Sequence, residues 1–421
     1  MKFGFQTYHK SLLGYISSPN RIYTFIFLIF LSITVSISIS YLQSSEFTVI
    51  SFAKDKTPIA DNYSAPLAQT KSFTNDRKQV IGFLPSWSIA AGTKLYPEYM
   101  DQIIYFGIAM DEEGNIIKKD TQNNPLVEWN YINSDYFTDL QTRTKETNTK
   151  VTVAVRQFDN NKIYTLITNE SYTNNAANQL ATFVSEYKLD GINIDFEYFS
   201  PSDEPTLQFY NRFVETVTQK IREANPNSLI SIDVNATVVY NDNAYDMVKI
   251  GDIVDQIIIM GYDYHTPASY YAGPISPIDM KGDKPSIRKT IKSLEGRVHK
   301  DKIILGIPFY GYEWQTETKD RFSKVIPNTG ATATYARVRE LIAGRNDVSL
   351  DFDETTLSPR LTYMHNGLIK QIYYEDERSL LEKIKFVELN GLDGIAIWAL
   401  GYEGEYVEPW NIIKEHVRGK N

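Results

Sequence analysis

The sequence predicts an α/β protein built on a (β/α)8 TIM barrel, and three observations lead there. Eight short apolar runs, several of them β-branched, recur after residue 78. Segments with helical spacing lie between them. No Gly-x-Gly-x-x-Gly follows the first run, which speaks against an open doubly wound sheet. Eight strands alternating with helices close into a barrel.

The expected strands are 79–84 (QVIGFL), 102–110 (QIIYFGIAM), 150–158 (KVTVAVRQF), 191–197 (GINIDFE), 229–236 (LISIDVNA), 254–263 (VDQIIIMGYD), 302–311 (KIILGIPFYG) and 393–401 (DGIAIWALG). Several read as nearly continuous apolar runs, as strands covered on both faces do. Between them, 174–188 sets Ala176, Leu180, Phe183, Val184 and Tyr187 on one helical stripe. Residues 206–226 repeat the pattern with Phe209, Phe213, Val217 and Ile221. The helix expected over 378–391 ends in a glycine suited to a C-cap. The connection 312–392, between the seventh and eighth strands, is too long for one helix. It holds a helical stretch at 334–344 and a hairpin at 360–376 turning at Asn366-Gly367. A small α+β insertion over about 315–376, on the upper rim, is expected.

The first 77 residues read differently. Residues 22–42 carry no charge over 21 positions, long enough to span a bilayer as a helix. Lys2, Lys10 and Arg21 precede this run with no acidic residue, while Glu46 and Asp55 follow it. The positive-inside rule then puts 1–21 in the cytoplasm and everything after 42 outside. The segment reads as an uncleaved transmembrane signal-anchor. A cleaved signal peptide is the alternative, because Ser38-Ile39-Ser40 offers small residues for cleavage. Residues 43–77 read as a linker and 78–421 as the catalytic barrel. The expected location is extracytoplasmic, membrane-anchored, or secreted if the segment is removed.

Composition narrows the chemistry. A net charge of −9 argues against nucleic acid and anionic membrane surfaces as partners. With no cysteine there are no disulfides, thiolate sites or cysteine nucleophile. The five histidines lack metal-ligand spacing, so neither a metal nor a cofactor is expected. The 29 Tyr, 21 Phe and 5 Trp suit stacking on sugar rings, although aromatics more often serve the core.

The run DGINIDFEYF (190–199) alternates Ile192, Ile194 and Phe196 with Asn193, Asp195 and Glu197. On an isolated amphipathic strand the polar set would face water. In a barrel the apolar set meets the outer helices and the polar set points inward, with Glu197 at the C-terminal end where barrel sites lie. Inward carboxylates two residues apart have Cα atoms about 6.6 Å apart. Each then disfavours ionisation of the other, and burial adds to this, which predicts a protonated Glu197.

DGINIDFE resembles the DGxDxDxE signature of glycoside hydrolase family 18, the chitinase family. MGYD (260–263) is similar to that family's MxYD, GIPFYGYEW (306–314) to its GxPxYGxxW, and DGIAIWALG (393–401) to its strand ending in tryptophan. AGPISPI (272–278) and YGYEW resemble the bacterial spore-cortex and peptidoglycan branch. The resemblance implies Glu197 as acid/base and Asp195 as the group that holds the substrate acetamido group. It implies Tyr262 as hydrogen-bond donor to the acetamido oxygen, Trp398 as the floor of the sugar subsite, and Asp263 lining that subsite. Asn193 and Trp87, just past the first strand, complete the expected substrate-binding set. The implied function is a retaining hydrolase cleaving β-1,4 linkages at N-acetylglucosamine by substrate-assisted catalysis, on chitin-type chains or peptidoglycan. A catalytically inactive sugar-binding lectin on the same barrel is the alternative.

The chain departs from the family pattern in three places. Asn193 stands where the signature has its first Asp. Its amide is expected to hydrogen-bond Asp195 but cannot share charge, so proton exchange between two buried aspartates should be lost and the pH profile altered. The third strand ends in Arg156, Gln157 and Phe158 in place of SxGG. Tyr312 replaces an arginine found in many members.

Overall fold

All eight expected runs form strands. In chain order they are β1 (Gln79–Pro85), β2 (Gln102–Met110) with a two-residue return β3 (Ile116–Ile117), β4 (Lys150–Gln157), β5 (Gly191–Phe196), β6 (Leu229–Asn235), β7 (Gln256–Met260) and β8 (Ile303–Pro308). The insertion then supplies β9 (Tyr310–Gln315), β10 (Ala331–Thr334), β11 (Ser349–Asp353), β12 (Ser358–His365) and β13 (Leu368–Tyr373), before the eighth barrel strand β14 (Gly394–Trp398). The computed structural model describes residues 77–198, 204–239 and 245–418. The expected cytoplasmic segment 1–21, the signal-anchor 22–42 and all but the last residue of the linker lie outside those residues. Among the described residues no helix is long and apolar enough to cross a membrane.

The barrel strands run β1-β14-β8-β7-β6-β5-β4-β2, and a parallel β1–β2 pairing closes the ring. Their alternation sorts side chains into two apolar clusters. Ile192, Ile194 and Phe196 of β5 join the outer cluster with Phe213, Val217 and Ile221 of the helix at Glu204–Ala224. The Phe196 and Phe213 rings stack with centroids 5.2 Å apart. Ile81, Phe83, Ile104, Phe106, Ala154, Ile258, Ile304 and Ala396 form the inner cluster. On β5 and β6 the inner positions are polar instead: Asn193, Asp195, Ser231 and Asp233, all buried. The apolar lining thus gives way to a polar sector on β5 and β6, while Gln79, Gln102, Thr152 and Gln256 form a second polar layer at the strand starts. Gly191, which opens β5, has φ +152°, and a Cβ there would lie 1.8 Å from the Leu229 carbonyl oxygen. Only glycine lets the two strands of the polar sector approach this closely.

The expected helices form at Glu170–Glu186, Glu204–Ala224, Tyr335–Gly344 and Glu377–Asn390. The last is bracketed by an Asp376–Ser379 capping box and by Gly391 in the left-handed region. The hairpin turns where expected, with positive φ at both Asn366 and Gly367.

The insertion differs from expectation in where it begins. It is a five-stranded antiparallel sheet, β10-β9-β13-β12-β11, and it starts at Tyr310 rather than near 315. The seventh barrel strand accordingly stops at Pro308. The apolar run through 302–311 hides the break because both neighbouring strands are buried. Phe309 marks it: its N–H donates to the Trp398 carbonyl at 2.7 Å and its carbonyl accepts from Tyr335 N–H at 2.9 Å.

Candidate active site

Beside the C-terminal ends of the barrel strands opens a cleft of about 340 Å³. Its walls include Asp195, Glu197, Tyr262, Asp263, Trp398 and Trp87, so six of the seven residues singled out from sequence converge there. Asn193 does not line it. Lower in the barrel, its amide Nδ2 donates to Ser231 Oγ at 3.0 Å and to Asp233 Oδ1 at 2.9 Å.

That geometry corrects one expectation. Asn193 bonds Asp233 and not Asp195, because β5 and β6 pair Asn193 with Ser231 and bring the Asp233 side chain within its reach. The barrel keeps a second buried aspartate, supplied by the neighbouring strand.

Glu197 follows the last residue of β5, and its backbone N–H donates to the Gln157 carbonyl at 3.2 Å. Burial pushes its carboxyl up from the ordinary range, and the negative charge of Asp263 adds to the shift. The expected effect of Asp195 appears on Asp195 itself: burial raises it first, then the charges of Asp233 and Glu197, against an opposing pull from Arg156. Asp195 Oδ1 is buried and has no hydrogen-bond partner. A buried carboxylate oxygen left without a donor is costly, and a ligand N–H would satisfy it.

Two residues after β7, Tyr262 is buried, and its ring meets Tyr310 edge-on at 6.1 Å. Burial, reinforced by the charges of Asp233 and Asp263, holds its phenol protonated and therefore able to donate. Gly261 permits this turn, since a Cβ would lie 2.7 Å from the Gly306 carbonyl oxygen. Asp263 adopts φ +61° and accepts from Tyr310 Oη at 2.5 Å and from Tyr312 Oη at 2.9 Å. Burial raises its carboxyl and the two phenol bonds partly offset the rise. Both tyrosines come from β9, so the insertion helps to build the cleft. Ser276, within AGPISPI, braces the same turn by donating to the Gly261 carbonyl at 2.5 Å.

Trp398 closes β14 and packs edge-on against Phe106 at 4.7 Å and Phe83 at 5.5 Å. Trp87 stands 45% exposed at the rim, 6.3 Å from the Trp398 ring centroid. Phe158 adds another exposed aromatic, with the Arg156 guanidinium 5.6 Å over its ring. His265 turns away, its Nδ1 paired with the Pro274 carbonyl at 2.7 Å. Among the described residues no group of three or more His, Asp or Glu side chains could hold a metal ion.

Sequence reasoning missed Asp233, Asn235, Tyr310 and Tyr402 as lining residues. The first two had a readable signal. LISIDVN alternates Ser231, Asp233 and Asn235 against Ile230, Ile232 and Val234, the same pattern that singled out the preceding strand.

A cleft bearing carboxyl groups and aromatic walls at the C-terminal rim of a closed parallel barrel lies where barrel enzymes place their active sites. The pattern of glycosyl hydrolases family 18 matches residues 79–403, and the chain belongs to that family. Its members are glycosidases. Among relatives, the uncharacterized glycosylase YvbX of Bacillus subtilis is 26% identical over 268 residues, covering 62% of this chain and 71% of the relative. The cortical fragment-lytic enzyme of Bacillus anthracis is 25% identical, over 55% of this chain and 50% of the relative. The chain therefore spans between half and about seven-tenths of the length of these relatives. The spore cortex-lytic enzyme SleL of Bacillus cereus shares the fold with a TM-score of 0.64 at 18% identity, over 80% of this chain and 74% of that one.

Proposed function

We propose that the chain is a retaining glycosidase that cleaves β-1,4 bonds next to N-acetylglucosamine with the substrate's own acetamido group as nucleophile. The observation that carries this reading is the convergence, in one cleft, of a carboxyl raised by burial, a buried carboxylate oxygen without a donor, and a phenol held protonated. Glu197 protonates the glycosidic oxygen as the C1–O bond breaks. The acetamido carbonyl oxygen attacks C1, and the ring closes to an oxazolinium with the N–H held by Asp195. Tyr262 donates to the acetamido oxygen and orients it. Water, deprotonated by Glu197, then opens the oxazolinium, so configuration at C1 is retained after two inversions. Trp398 floors the sugar subsite and Trp87 extends it towards the rim.

Names borne by relatives, a cortical fragment-lytic enzyme and a chitinase among them, support peptidoglycan or chitin-type chains as the polymer. The test is hydrolysis of N-acetylglucosamine oligomers and of purified peptidoglycan by the full-length protein and by Glu197→Gln. Wild type should release shorter products while the variant loses about a hundred- to ten-thousand-fold in kcat. Equal rates for the two proteins would overturn the assignment, and saturable binding with no turnover by wild type would favour the lectin.

A further inference from the structure

Asp233 is a carboxyl-bearing side chain in the barrel interior that the mechanism above leaves without a task. It is 3% exposed and lines the cleft. The β5–β6 register pairs Asn193 with Ser231 and Ile194 with Ile232, so Asp195 and Asp233 follow one step further on, side by side and both inward. Neighbouring strands lie about 4.8 Å apart, which brings the two carboxyl groups into direct electrostatic contact. Two such groups in a buried site do not both ionise freely.

We propose that Asp233 is a positioning residue which forms, with Asp195, a carboxyl pair that shares one proton once its first charge has formed, while Asn193 fixes where that charge resides. The inference rests on the substrate-assisted reading of the site. Asn193 gives its N–H to Asp233, and an amide donor favours the ionised form of its acceptor. The first charge therefore settles on Asp233 and the proton stays with Asp195, whose Oδ1 has no donor. When a substrate acetamido N–H arrives at Asp195, the preference reverses. The proton passes from Asp195 to Asp233, the charge passes the other way, and the pair's net charge is unchanged. Asp195 thus becomes an acceptor only when the ligand is in place.

The surrounding groups agree. Burial raises both carboxyls, and the Asn193 bond holds Asp233, at about 8, below where burial alone would put it. Glu197 opposes ionisation of both members, and Arg156 of β4 favours that of Asp195. Tyr262, just after β7, Tyr210 of the helix at Glu204–Ala224, and Tyr245 all interact with both members of the pair, while Asp263 lines the same cleft and acts on Glu197. All three phenols are raised and stay neutral, and Arg156 is a cation that acts on Asp195.

The test needs no substrate. A carboxyl raised in the folded state binds a proton that the unfolded chain releases near pH 4, so folded stability falls as pH climbs from about 4 to about 8. Melting temperature of the full-length protein is followed over this range for wild type, Asp233→Asn, Asp195→Asn and the double variant. Asn at 233 keeps an oxygen for Asn193, and Asp195→Asn probes the pair from its other side should the first variant melt poorly. Because each charge raises its neighbour, either single variant should abolish more than half of the pH slope that the double variant abolishes. Half or less from each would mean independent groups and would overturn the pairing, as would slopes parallel to wild type. In a second arm, the ionisation governing kcat/KM on N-acetylglucosamine oligomers should move to lower pH in Asp233→Asn, a shift that a structural role would not produce. A wild type without turnover sinks the proposed function and leaves the melting result standing. Turnover with unchanged slopes sinks the pairing alone.

Discussion

Asn193 uses both hydrogens of its amide on buried acceptors, and its own Oδ1 has no partner. Replacing it by Asp would remove two donated hydrogen bonds and add a third buried carboxyl beside Asp195 and Asp233. The expected loss is about 2–4 kcal/mol of stability. The sign with pH is fixed: burial raises the new carboxyl, so the cost is least below about pH 4 and grows as pH rises. Thermal melts at acidic and neutral pH check this, and a profile parallel to wild type would show that position 193 tolerates charge. At Glu197 the raised carboxyl keeps the donating form above the ordinary carboxylate range, and Asp263 is the charged neighbour that contributes.

At the scale of elements, the insertion and the helix before β14 are tied by Glu375 and Lys383. Their ion pair is 2.8 Å long with the lysine fully buried. Burial raises Glu375 to about 6 even with the ammonium beside it. Lys383→Met should cost about 3–5 kcal/mol, because it leaves a buried carboxylate unpaired. The loss should shrink in acid, where Glu375 takes up a proton. Converting both partners, Lys383→Met with Glu375→Leu, should recover most of it. Melting curves of the single and double variants across pH test both statements; equal losses in the two would point to packing and not charge. The same insertion supplies Tyr310 and Tyr312 to Asp263, so this element is structurally part of the cleft.

For the molecule as a whole, charge decides how different substrates approach. The chain carries a net −9, and the cleft is lined by Asp195, Glu197, Asp233 and Asp263. A neutral N-acetylglucosamine oligomer meets no long-range barrier, so its kcat/KM should be nearly independent of ionic strength. Peptidoglycan bearing free carboxylates is repelled, and raising salt from about 0.01 M to about 0.15 M shortens the Debye length from about 30 Å to about 8 Å. Its initial hydrolysis rate should therefore rise with salt. Parallel assays at the two salt levels decide it, and a fall in the peptidoglycan rate would show that local cations outweigh the net charge.

The sequence by itself determined the barrel, because each strand and helix carries its own period and eight repeats of that alternation leave few ways to close a core. Strand alternation and the position of the strand end singled out Asp195 and Glu197, whereas Tyr262, Asp263 and Trp398 were named through the resemblance to family motifs, and all five line one cleft. The break at Phe309 was not legible: buried barrel strand and buried insertion strand share one apolar pattern. Only the tertiary structure decided which groups meet across strands. Register between β5 and β6 set Asn193 on Asp233 and placed Asp233 beside Asp195, and the insertion brought two phenols to Asp263. Partners far apart in the chain are chosen by sheet register and packing, and no period within a single strand encodes them.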